Sequence, residues 1–73
     1  MTQLEDPLAQ AERHVREAEE RIARQQEIIA ELDRDGHERT AAQARQLLTA
    51  FEQTLDLAHD HVRRQRRERG LES

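Results

Sequence analysis

Apolar side chains recur along this chain at alternating spacings of four and three, and the pattern is broken once. The first run is Leu4, Leu8, Ala11, Val15, Ala18, Ile22, Gln25, Ile29 and Leu32. The second is Ala41, Ala44, Leu48, Phe51, Leu55, Ala58, Val62, Gln65 and Arg69. Such a repeat keeps one stripe on one side of an α-helix and is the seam of a left-handed coiled coil, whereas a half-buried strand alternates with period two. The break lies between Asp33 and Glu38. There, Gly36 can take the left-handed conformation that ends a helix. Asp35, three residues ahead of Glu38, offers a capping box to the helix that follows. Pro7 suits a first helical turn, where its missing N–H is no loss. The pattern predicts helix 1 over about 6–34, a turn at about 35–37, helix 2 over about 37–67 and a frayed tail at 70–73, in one domain spanning 1–73.

Folding the chain back at Gly36 sets Leu32 against Ala41, Ile29 against Ala44, Gln25 against Leu48 and Ile22 against Phe51. Ala18 then meets Leu55, Val15 meets Ala58 and Ala11 meets Val62, so the two numbers of every pair sum to 73. One register therefore satisfies the whole length, and most layers set a large side chain against alanine, which lets the backbones approach without voids. The expected fold is all-α: an antiparallel two-helix hairpin of coiled-coil type. Its core is expected to comprise the two runs from Leu8 to Leu32 and from Ala41 to Val62.

The two flanks of this seam differ. On one, the pairs are Glu5 with Arg66, Glu12 with His59 and Gln26 with Arg45, mostly attractive, with Glu19 against Glu52 as the exception. The other pairs Ile28 with Leu47, Arg21 with Thr54 and His14 with His61, and carries much less charge. Helix 2 has a second stripe there, Leu47, Ala50, Thr54, Leu57 and His61, again spaced three and four. This stripe, with Ile28, is the expected dimer face. A lone hairpin buries too little for the chain it must order, so the sequence predicts a homodimer in the form of a four-helix bundle, pairing like with like across a two-fold axis.

Composition removes whole classes of function. The chain has 73 residues, no cysteine, one aromatic and a net charge of −4. Without cysteine there is neither a disulfide framework nor a thiolate zinc site nor a cysteine nucleophile. The mild negative charge gives no global field drawing the protein to nucleic acid or anionic membrane. The N-terminus lacks the basic region and apolar run of a secretory signal, and no apolar stretch approaches the roughly 20 residues that span a bilayer. The expectation is a cytoplasmic protein without a membrane segment, a cofactor or enzymatic activity. The acidic residues of helix 1 read as a solvated face, because acid–base catalysis needs a cleft that shifts carboxylate pKa values.

The stretch RQQEIIAELDRDGHERTAAQARQLLTAFEQTL, about half the chain, resembles a group of short bacterial proteins of no assigned activity. Their pattern is an amphipathic helix, an LxRDGH turn and a second helix with LLxTFExxL. The resemblance implies a helical hairpin and a bacterial source, and it implies no site residues. In shape alone, the chain is also similar to the small RNA-binding plasmid regulator that forms a dimer of helical hairpins, and shape does not imply function.

Three groups remain as candidate sites. His14 and His61 should be neighbours, and two such pairs in a dimer are a conceivable zinc site. The reading adopted is that they are polar flank residues and bind no metal. His59 points to another face, and His37 belongs to the first turn of helix 2. Five arginines lie between Arg63 and Arg69, of which Arg63, Arg64, Arg66 and Arg67 form a candidate anion-binding strip. Against that reading, they face all round the helix, have acidic neighbours across the hairpin and no aromatic to stack a base, and suit the macrodipole at a helix C-terminus. Gln25, polar in mid-seam, either fixes register as a buried asparagine does in zippers or reaches water at a rim. The sequence thus favours a self-associating protein–protein interaction or scaffold module, itself and an unidentified protein being its partners. A nucleic-acid-binding regulator using the arginine-rich end is the alternative.

Overall fold

The computed structural model describes residues 6–70. They form two helices, α1 (Pro7–Arg34) and α2 (Glu38–Glu68), packed antiparallel, with no strand among the described residues. The Asp6 side chain accepts the Leu8 N–H at 3.3 Å and Pro7 follows at the first helical position. An acceptor before proline satisfies one of the orphan donors of a helix start.

The reversal is a Schellman turn. Gly36, at φ +76°, donates to the Asp33 carbonyl at 3.2 Å, and His37 donates to the Leu32 carbonyl at 2.9 Å. This corrects the expected capping box. Asp35 is the last residue of the first helix end and donates its N–H to Glu31, so it cannot also open α2. His37 takes the N-cap position without a side-chain hydrogen bond, and Glu38 becomes the first residue of α2, where its charge still suits the positive helix end. At the far end Gly70, expected to fray, closes α2 at φ +70° with an N–H to the Arg67 carbonyl at 3.0 Å. The rest of the expected tail, the seam position Leu4 and the flank position Glu5 lie outside the described residues.

Every expected core residue from Leu8 to Val62 is buried or half-buried, but only Ala11, Ala18, Gln25, Ile29 and Ala41 are buried outright. No large side chain among the described residues is fully enclosed. Two parallel cylinders touch along a line. Ala11, Ala18 and Ala41 on that line are covered by their large partners Val62, Leu55 and Leu32, which themselves keep an open side. Ile22, Leu48, Phe51 and Leu55 are therefore half-buried. Arg69, the last position of the second run, is exposed.

Gln25 is only 6% exposed, and its Nε2 donates to the Ala44 main-chain carbonyl at 2.9 Å. A helical carbonyl points along the chain toward the residue four positions on. Ala44 O thus lies toward the Leu48 layer, where the shared register places Gln25. The amide is satisfied by α2 rather than by a water-filled rim.

The charged flank departs from expectation. Arg66 bonds Glu12 at 3.4 Å and Arg45 bonds Asp33 at 2.5 Å, instead of Glu12 with His59 and Arg45 with Gln26. The cause is the direction of the side chains: on a helix they lean toward its N-terminus. In an antiparallel pair, partners shifted by one heptad from the expected ones lean toward each other, while the expected pairs lean away. The same offset sets Glu19 in register with His59 and Gln26 with Glu52, so the like-charge pair Glu19–Glu52 has no place in it.

Candidate interaction surfaces

The second stripe of α2 stands beside the seam and faces solvent. Leu47 is 47% exposed and Leu57 is 69% exposed, the two large apolar side chains most open among the described residues. Ala50 and Thr54 between them are exposed, and His61 and, on α1, Ile28 are half-buried. The Thr54 hydroxyl donates to the Ala50 carbonyl of its own helix at 3.1 Å. Its donor is thereby satisfied internally, and covering this face leaves no new unpaired hydroxyl proton.

Along this flank runs an open furrow. One hollow in it is lined by His14, Glu17 and Arg21 of α1 and Thr54, Leu57 and His61 of α2. The next is bounded by Arg21, Arg24, Gln25 and Phe51. The expected neighbours His14 and His61 are brought to one hollow, beside Arg21 and Thr54. The hollow's carboxylate, Glu17, accepts from Arg13 Nη1 at 2.9 Å. Among the described residues no three His, Asp or Glu side chains are grouped so as to hold a metal ion. His59 lies across the molecule, in a hollow of the charged flank with Glu12, Val15, Val62 and Arg66, and His37 is exposed at the turn.

Three of the four arginines of the candidate anion strip share one hollow and the fourth does not. Arg66 turns to Glu12 on α1, whereas Arg63 pairs with Asp60 and lines an outer hollow of α2 with Arg64 and Arg67. Arg69 pairs with Asp6. Arg64 and Arg67 carry no ion pair among the described residues. No described helix is long and apolar enough to cross a membrane.

Sequence reasoning missed the part Phe51 plays at the surface. Assigned to the core, it also borders the furrow, as Arg21 and Arg24 do. The signal was its partner layer: Ile22 and Phe51 are the two bulkiest facing residues of the seam, and a narrow line of contact cannot cover both. Compared with known proteins, the chain matches no family, no curated protein and no solved structure.

Proposed function

We propose that the chain is a small protein–protein interaction module that works as a homodimeric four-helix bundle, associating through the furrowed flank. The observation that carries this reading is the apolar stripe of Leu47, Ala50 and Leu57 left in solvent beside a half-buried seam. Area supports it. A compact chain of 8.6 kDa would expose about 4,700 Å². The hairpin exposes 5838 Å², an excess of about 1,100 Å². A standard interface removes about 800 Å² from each partner, so one such contact accounts for most of the excess. Helical faces on the outside of the bundle then remain for a second protein.

Sedimentation equilibrium at low micromolar concentration tests the reading. The expected result is a dimer, with Leu47→Glu and Leu57→Glu together giving an unfolded chain. A folded 8.6 kDa monomer overturns it. The guanidinium groups of Arg64 and Arg67, without an ion pair among the described residues, favour the second reading, a nucleic-acid-binding regulator. A salt titration separates the two, because phosphate binding falls steeply with salt and apolar helix packing does not.

A further inference from the structure

We infer that the two copies pack antiparallel, with Leu47 of each chain seated on the partner's Leu57 and the two-fold axis crossing α2 between Ala50 and Thr54. This rests on the self-association just proposed and specifies how the second copy occupies the stripe.

The stripe itself points there. Leu47, Ala50, Thr54, Leu57 and His61 alternate spacings of three and four, so they form a short second seam on α2. Antiparallel seams pair the first residue of one three-step with the second residue of another. One register pairs Leu47 with the partner's Leu57 and Ala50 with the partner's Thr54, and two-fold symmetry repeats both layers. All four leucines, the most exposed large apolar side chains among the described residues of each hairpin, are covered by one another. The next layer outward sets His61 on the partner's Gln43, a polar contact at the rim. A two-fold axis running along the hairpin would instead stack Leu47 on Leu47, His61 on His61 and Arg64 on Arg64.

Charge separates the two arrangements independently. The turn end, residues 31–39, carries four acids and two arginines, a formal −2. At the other end the sequence over 1–13 and 60–73 balances six arginines against six acids. An axis along the hairpin places the two acidic turns side by side. The antiparallel arrangement lays each acidic turn against the partner's charge-balanced end, so only this one of the two symmetric pairings avoids like-charge repulsion.

The chain has no cysteine, so introduced thiols report unambiguously. Single variants Leu47→Cys and Leu57→Cys, both at exposed positions, are oxidised separately and as an equimolar mixture. The expected product is a mixed disulfide in the mixture, well above the self-linked product of either variant, since a disulfide needs Cβ atoms about 4 Å apart. Self-linked Leu47→Cys and self-linked Leu57→Cys without the mixed product overturn the inference. A second measurement uses a spin label at Arg34→Cys, at the turn end and far from the stripe. At a rise of 1.5 Å per residue the antiparallel dimer separates two such labels by roughly 40 Å, whereas the other axis brings them within about 20 Å. A dimer in sedimentation with short label distances refutes the antiparallel packing and leaves self-association standing; a monomer refutes both.

Discussion

Glu12 and Arg66, separated by 54 positions in the chain, meet at 3.4 Å across the open end of the hairpin. Each leans toward the N-terminus of its own helix, and because the helices run oppositely those leanings converge. Both side chains remain nearly half exposed, which places the pair among surface ion pairs worth about 0.2–1 kcal/mol. A double-mutant cycle with Glu12→Gln and Arg66→Gln is expected to give a coupling of about 0.5 kcal/mol that vanishes in concentrated salt. The cycle of Glu12→Gln with His59→Gln should give none. A stronger coupling to His59 would contradict the lean that sets this flank.

Gln25 is the buried polar group of the seam, and its amide is bonded to a carbonyl that already belongs to the α2 ladder. Removing that amide leaves no orphan on α2, since Ala44 keeps its own helical bond. Replacing it by an apolar side chain of similar size is therefore nearly neutral or stabilising, while truncation opens a cavity. Gln25→Leu is expected to melt at or above the parent temperature, and Gln25→Ala below it by the equivalent of about 1–2 kcal/mol. Thermal denaturation of the three proteins decides the point. A Gln25→Leu protein that melts as far below the parent as Gln25→Ala does would show the amide to be indispensable.

Several levels of this structure were legible in the sequence to different degrees. The hairpin was legible because a coiled-coil seam is a one-dimensional pattern, and Leu8 to Leu32 with Ala41 to Val62 share a single register. The offset of Glu12 onto Arg66 was not, because it depends on where side chains point rather than on which positions share a level. Asp35 could serve either helix, and only the closed turn around Gly36 assigns it to α1. The half exposure of Phe51 was hidden for a related reason. Spacing identifies the side that meets the other helix, but not how far a second cylinder wraps around it. The second stripe, from Leu47 to His61, was legible as a pattern and read as the dimer face.

Gly36 sits at φ +76°, and a Cβ added there would meet nothing within 4 Å. The cost of Gly36→Ala is thus purely conformational, about 1–2 kcal/mol for a left-handed alanine. Asparagine tolerates that region better, so Gly36→Asn should lose less than Gly36→Ala. Chemical denaturation of the three proteins checks the order. Equal stability of Gly36→Ala and the parent would mean that the turn relaxes out of its Schellman form.

His14 and His61 share a hollow, but its carboxylate is engaged by Arg13 and the described groups do not form a metal-binding set. Zinc at a tenfold excess is expected to leave the melting temperature unchanged. A ligand bound only by the native state must raise it, by about 2.7 kcal/mol of stability at a hundred times its dissociation constant. A rise of many degrees, lost in His14→Ala or His61→Ala, would turn the furrow into a metal site.

Phe51 offers the sharpest separation between the hairpin and its association. Its ring is half-buried against α1, and its open side borders the furrow with Arg21 and Gln25. Val62 is equally a half-buried seam residue, but its open side borders the charged flank with Glu12 and His59. Both truncations thin the same seam, so both should lower the melting temperature. They should differ in what they do to the dimer. Phe51→Ala removes apolar surface that the second copy covers, and it is expected to raise the dimer dissociation constant more than tenfold, which corresponds to about 1.4 kcal/mol. Its total cost, folding and association together, then reaches about 3–5 kcal/mol per chain, the range for a fully buried aromatic. Val62→Ala should leave dissociation within a factor of about three, the effect of well under 1 kcal/mol. Sedimentation velocity across a dilution series, with melting curves at each concentration, reads both quantities in the same samples. If the two variants raise the dissociation constant equally, the furrowed flank is not the face that the second copy covers.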